Sequence, residues 1–363
     1  MNRILKIAGI ICLLLISATT LQAKSPYSLN VIYFLPKGDA PVEGFENRLN
    51  DLLLYTQEFY RKEMKRNGFG NKTFGLSKTP QGKVKIVVVR GKEDIPFYSY
   101  DNGGGWKAEK EIEAYFKEHP GEKGSGHALV IMPSTSGDDM NPGGVPFYGI
   151  GKYCFALDYK YFDIKYLGQD TPEGHLLTKW FGGMAHELGH GLNLPHNMQQ
   201  VTEEKMYGTA LMGAGNHTFG LKPTYLTKAS CAILNNCEVF AEHEKKYYDP
   251  KVEFDLNDLD ISFTKDQIVV KGDFKSLVPV NGVNVYIDHA PYGQVNNDYD
   301  AESWTVKSNK GNFMIAIPRS ELHDQKIDGF QVRVKFLFEN GNSQNTTADF
   351  VWSDLKTYHF IKQ

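Results

Sequence analysis

Up to about residue 248 the chain alternates short apolar runs with longer segments of helical period. Residues 29 to 36, LNVIYFLP, are apolar, β-branched and aromatic and stop at Pro36 and Gly38, which predicts a buried strand. From Phe45 to Asn67 apolar side chains recur at Phe45, Leu49, Leu52, Leu53, Phe59, Tyr60 and Met64, with Gly68 beyond, so a long amphipathic helix is expected. Lys83 to Arg90 reads as a second strand, residues 106 to 118 as a second helix, and His127 to Met132 as a third strand. That alternation implies a mostly parallel sheet with crossover helices. Residues 146 to 157 read as a strand or strand pair, after a polar, glycine-rich loop at Ser134 to Gly144 in which Asp138 and Asp139 lack any defined calcium-ligand spacing. Glu173 to His190 predicts a further helix with Leu177, Phe181, Met184 and Leu188 as its buried stripe, and Thr227 can cap a short one after it.

The pattern changes near Asp249-Pro250. From there the helical period vanishes and about eight short alternating runs follow, among them VEFDL, LDISFT, QIVVKGDF, VNVYIDH and FQVRVKFLFENG, separated by Gly, Asn, Asp and Pro. This predicts a β-sandwich of immunoglobulin-like kind over residues 249 to 363, after an α/β or α+β domain over residues 24 to 248. The first 23 residues read as a secretory signal: Arg3 and Lys6, a mostly apolar stretch, then Leu21-Gln22-Ala23, with cleavage expected near Ala23. The apolar run is too short for a transmembrane helix, no later segment is long enough, and the interval before the first strand leaves no room for a long inhibitory propeptide. An exported protein, secreted or periplasmic, is therefore expected; its oligomeric state is not legible.

Composition narrows the function only by exclusion. A formal charge of −3 with interspersed signs carries no basic footprint for nucleic acid. After processing, Cys154, Cys231 and Cys237 remain, and in an oxidising compartment one disulfide and one free thiol are expected, with three pairings open.

The chemistry is concentrated in residues 186 to 196, HELGHGLNLPH. On a helix, His186 and His190 lie four apart on one face and can share a metal ion, while Glu187 is one residue round, outside that coordination sphere but placed to take a proton from water. Gly191 and Asn193 can end the helix in a left-handed turn that returns His196 as a third ligand. Three histidines leave a zinc ion's fourth position open, which distinguishes a catalytic site from a structural one. At this composition the three-histidine spacing arises by chance in roughly one sequence of this length in two thousand.

These residues resemble the metzincin zinc endopeptidases, whose pattern is HExxHxxGxxH followed by a methionine turn. The resemblance assigns His186, His190 and His196 as zinc ligands, Glu187 as general base and Met212 of TALMGAG as the methionine beneath the metal. Asn193 stands where the family has glycine, a change a left-handed turn tolerates. Some members carry a tyrosine two residues after that methionine; here the position is Ala214, so that role is vacant or filled elsewhere. The resemblance also implies an edge strand that pairs with extended substrate, placing Ile150, Gly151, Lys152 and Tyr153 on the cleft rim. Lys65 to Gly70 are similar to a stretch that ends the long helix in other secreted peptidases. A zinc endopeptidase acting on protein or peptide is thus expected, with the C-terminal domain supplying neither ligand nor base. Two alternatives stay open: a zinc amidase or deacetylase acting on cell-wall or sugar amides, and a non-enzymatic glycan- or protein-binding protein with structural zinc.

Overall fold

The longest apolar runs of the first half become the interior strands of one sheet. The computed structural model describes residues 25–249, 251–264, 266–289, 299–324, 329–351 and 358–361; the expected signal segment lies outside the described residues. Among the described residues, β1 (Asn30–Leu35), β2 (Val87–Arg90), β3 (Ala128–Pro133), β4 (Gly149–Ile150) and β5 (Tyr153–Asp158) form a sheet of order β2-β1-β3-β5-β4. The first four neighbours pair in parallel and β4 runs antiparallel to β5. Strands β1, β3 and β5 are buried at every position, as parallel strands covered on both faces must be. The edge strand β2 is buried only at alternate positions and begins at Val87 rather than Lys83.

Of the five α-helices among the described residues, four follow from the expected periods. In α1 (Phe45–Arg66) the buried stripe is Leu49, Leu52, Leu53, Thr56, Tyr60, Glu63 and Met64, and Lys65 and Arg66 sit in the last turn where the helix dipole favours cations. Helix α2 (Gly104–Glu118) buries Ala108, Ile112 and Phe116. Helix α3 (Pro172–Gly191) has the strongest start signal: the Thr171 hydroxyl accepts from the Gly174 amide and proline occupies the first helical position. Helix α4 (Val201–Tyr207) was not foreseen from the pattern. Helix α5 (Lys228–Leu234) starts as expected at Thr227, whose hydroxyl accepts from the Ser230 amide. A short parallel pair, β6 (Thr209–Ala210) with β7 (Thr224–Tyr225), lies between α4 and α5 in sequence.

The C-terminal runs form two four-stranded antiparallel sheets among the described residues. Their strands are β8 (Phe254–Phe263), β9 (Gln267–Ser276), β10 (Val280–Asp288), β11 (Glu302–Val306), β12 (Asn312–Pro318), β13 (Gly329–Phe338), β14 (Ser343–Val351) and β15 (Tyr358–Ile361), in the orders β11-β10-β13-β14 and β12-β9-β8-β15. Two runs read as separate, VEFDL and LDISFT, are one strand, β8, whose register shifts between Leu256 and Asp258. Leu259, Ile261 and Val270 of one sheet share a core with Val283, Val285 and Val334 of the other. The two halves are stitched together: Asn284 Nδ2 donates to the Ala229 carbonyl at 2.9 Å, the Tyr248 amide to Asn340 at 2.8 Å, and Leu337 of β13 packs into the first core.

The expected disulfide does not form. Cys154, Cys231 and Cys237 are separate, buried free thiols. Each is committed elsewhere: Cys154 Sγ donates to the Ala128 carbonyl at 3.4 Å, Cys231 Sγ accepts from Asn67 at 3.3 Å, and Cys237 Sγ lies 3.6 Å from the Tyr248 oxygen, to which its S–H can donate. Burial pushes all three thiols up, which keeps them protonated and unreactive.

One buried ion pair ties α1 to the end of β5. Arg48 Nη1 lies 2.6 Å from Asp158 Oδ1, Tyr33 donates to the same carboxylate at 2.9 Å, and Arg48 also donates to the Phe162 carbonyl at 2.8 Å. Burial raises the Asp158 carboxyl while Arg48 holds it down. Replacing Arg48 with Met should leave that carboxylate buried without its cation and cost about 3–5 kcal/mol in denaturant unfolding; a loss under about 1 kcal/mol would show that the pair does not hold α1 to the sheet.

Candidate active site

Helix α3 brings two histidines to one point and their tautomers are readable. His186 Nδ1 lies 2.8 Å from the Leu211 carbonyl and His190 Nδ1 lies 2.8 Å from the Leu194 carbonyl. A carbonyl only accepts, so both Nδ1 atoms donate. Burial, the largest cause, holds His186 down at about 3 and His190 at about 4, so both rings are neutral at ordinary pH and each Nε2 is a bare lone pair. These two nitrogens are 3.2 Å apart, and His196 Nε2 is 2.9 Å from that of His190. Met212 is buried against α3, where Gly189 allows the approach: a Cβ at that position would meet the Met212 sulfur at 2.3 Å.

His196 returns because α3 stops in a left-handed turn. Asn193 has φ 70°, as the glycine-to-asparagine argument expects, and the Leu194 amide donates back to the Gly189 carbonyl at 2.9 Å. Residues with no sequence signal lock this turn. His127 Nδ1, 2.7 Å from the Gly191 carbonyl, must donate to it, so its Nε2 accepts from the Tyr248 hydroxyl at 2.7 Å; Asn193 Nδ2 donates to that same hydroxyl at 3.2 Å. Burial holds His127 at about 4, which keeps the chain of donors in this order.

Glu187 is mostly buried beside the triad. Burial lifts its carboxyl to about 7 and a hydrogen bond from the Gly149 amide pulls it down. Strand β4 passes so close that a Cβ on Gly149 would lie 2.5 Å from His190 Cβ. Of the four rim residues expected from the resemblance, Ile150 is in this edge strand and Gly151 is exposed in the following turn. The other two point elsewhere: Lys152 lies over the Tyr248 ring at 3.4 Å, and the Tyr153 hydroxyl donates to Glu113 of α2. Strand β5, expected at the rim as part of residues 150 to 156, is instead interior, between β3 and β4. Just before Gly149, Tyr148 packs at 5.6 Å against the exposed ring of Tyr100, and Trp106 is 64% exposed nearby on α2, so aromatic faces flank the edge strand.

The C-terminal sheets also reach the triad, through a residue the sequence did not mark. The ring of Tyr299 stacks on His196 with centroids 3.6 Å apart and planes at 24°, and is within 10° of parallel to His186. Its carbonyl lies 3.5 Å from where a Cβ would stand on Gly213, next to Ala214.

The donor set suits a cation. Two bare nitrogen lone pairs 3.2 Å apart repel unless something positive lies between them, and a tetrahedral zinc with Zn–N of about 2.0–2.1 Å holds its nitrogens about 3.3 Å apart. The three ligand atoms lie within 4.8 Å of one another, the one such group among the described residues. The arrangement fits a metal-dependent enzyme.

No family model and no curated protein matches the chain. Solved structures do. A catalytically inactive OgpA from Akkermansia muciniphila, in complex with an O-glycopeptide substrate, glycodrosocin, is 48% identical, with 93% of this chain and 96% of that chain covered and a TM-score of 0.90. Wild-type OgpA from the same organism matches in two crystal forms, at 49% and 48% identity, 93% of this chain, 97% and 96% of OgpA, and TM-scores of 0.89 and 0.88. The chain belongs to the OgpA family. Like OgpA it is an enzyme, one that hydrolyses peptide bonds, so the non-enzymatic and amidase alternatives fall away.

The turn at Asn193 carries a test. Asn193→Gly should keep metal affinity and OgpA-like activity within a few-fold, whereas Asn193→Val forces a β-branched residue to positive φ at a cost of about 1–3 kcal/mol and should displace His196. Metal titration compares them; equal affinity in the Val variant would refute the role of the turn.

Proposed function

We propose that this chain is an exported zinc endopeptidase that cuts O-glycosylated polypeptides. The observation that carries the reading is the 48% identity, across nearly the whole chain, to OgpA crystallised with an O-glycopeptide substrate. The exposed rings of Tyr100 and Trp106 near the edge strand support the glycan part, since exposed aromatic faces offer flat apolar surfaces to sugar rings. Residues 24–248 would form the catalytic domain and 249–363 a sandwich domain. Export rests on the N-terminal segment and its cleavage near Ala23; among the described residues no helix is long and apolar enough to cross a membrane.

His186, His190 and His196 would hold the zinc, with Met212 as the methionine of a metzincin-like turn beneath it. Zinc there supplies a Lewis acid that polarises the scissile carbonyl and lowers the pKa of water toward neutrality. A cation nearby also lowers the Glu187 carboxyl from the position burial gives it, which leaves a carboxylate at neutral pH. Glu187 then takes the proton of the attacking water and passes it to the leaving amine. The Gly149 amide holds that carboxylate on the metal side of α3. Strand β4 offers its free edge to an extended substrate, an interaction with backbone that leaves selection to side groups such as the glycan.

Three measurements test this. Glu187→Gln should retain one zinc per chain and lose turnover about 10³-fold or more, because it removes a base and no ligand; zinc lost in step with activity would reassign Glu187 as a ligand. His196→Ala should lower metal affinity, and unchanged affinity would place the third ligand elsewhere. Mass spectrometry of digests of one peptide, with and without an O-linked sugar, should show cleavage confined to the glycosylated form; equal cleavage of both would remove the glycan from the proposal and leave a general endopeptidase.

A further inference from the structure

Tyr299 stands on a segment pinned from both sides. On the catalytic side it pairs with the chain that follows His196: the Met198 amide donates to the Ala301 carbonyl at 2.9 Å, Met198 bridges to Glu302, and Gln200 Nε2 donates to the Ser303 carbonyl at 2.7 Å. Thr227 accepts from the Ser303 hydroxyl at 3.3 Å and donates to Asn197 at 2.8 Å, closing the same junction. On the sandwich side the wholly buried Glu302 lies 2.6 Å from His289 Nε2 and accepts from the His323 amide at 2.8 Å. So the residues that follow His196 and those that follow Tyr299 are tied into one ladder. The Tyr299 ring meets His196 through its π-face and not through its edge, and imidazole binds metals through its edge.

We infer that Tyr299 is a positioning residue that the C-terminal domain contributes to the active site: its ring braces His196 in the orientation that meets His186 and His190, and the ladder from Ala301 to Ser303 holds both partners in register. The inference rests on the metal reading above. It gives the sandwich a part in the chemistry without supplying a ligand or a base, and it explains how a loop of only four residues after α3 can hold a ligand rigidly.

The test uses the full chain loaded with Co(II), whose visible absorption reports ligand geometry, and compares wild type with Tyr299→Phe and Tyr299→Leu. Phe keeps the ring; Leu keeps apolar bulk at a half-exposed position and loses the stack. The Phe variant should reproduce the wild-type spectrum and rate of metal release to a chelator, and the Leu variant should shift the spectrum and release metal roughly three- to tenfold faster, the range that one aromatic stack supports. A Leu variant with wild-type spectrum and release rate overturns the inference and leaves the metal reading standing. A wild-type chain that takes up no cobalt at the three histidines overturns both.

Discussion

The site depends on an electrostatic constraint that the fold imposes on itself. Backbone carbonyls of Leu211 and Leu194 fix the protons of His186 and His190 on Nδ1, so two bare Nε2 lone pairs face each other at 3.2 Å. Two such lone pairs repel, and the arrangement, built by α3 from one side and by the Leu211 and Leu194 loops from the other, suits a positive charge between them. The same burial that keeps the rings neutral raises Glu187, so one apolar environment prepares the proposed ligands and the proposed base together.

Holding that arrangement takes more of the chain than the motif itself. Asn193 turns the backbone, His127 and Tyr248 bolt the turn to the start of β3 and to the end of the first half, and β4 runs close enough to His190 that its glycine has no room for a side chain. A crevice of about 540 Å³ beside His190 is lined by Lys152 and Tyr248 from the first half and by Lys335, Asn342 and Ser343 from the second. Together with Tyr299 this makes the junction of the two halves part of the site's surroundings.

Much of this was legible in the sequence where one physical rule dominated. The apolar runs of β1 and β3, the 3.6-residue stripes of α1 and α3, the Thr227 cap and the left-handed Asn193 each follow from local chemistry, and the structure has them. What failed needed tertiary knowledge. An interior strand and an edge strand read alike in YCFAL, so β5 was placed at the rim that only β4 occupies. Cysteine count suggests a disulfide, but pairing depends on distance, and the three thiols are held apart in separate packing sites. His127, Tyr248 and Tyr299 carry no motif: each acts through a partner more than 50 residues away, and Tyr299 sits in the half that the change of pattern had set aside from the chemistry. The proposed glycan preference, too, has no sequence signature beyond a scatter of exposed aromatic residues.

Anomalous diffraction at the zinc absorption edge from crystals of the full chain tests the central claim most directly. The account predicts one strong peak about 2.0–2.1 Å from each Nε2 of His186, His190 and His196, with Glu187 outside bonding distance. A zinc-loaded crystal whose peak lies elsewhere, or whose three histidines keep their contacts with no peak between them, would contradict it.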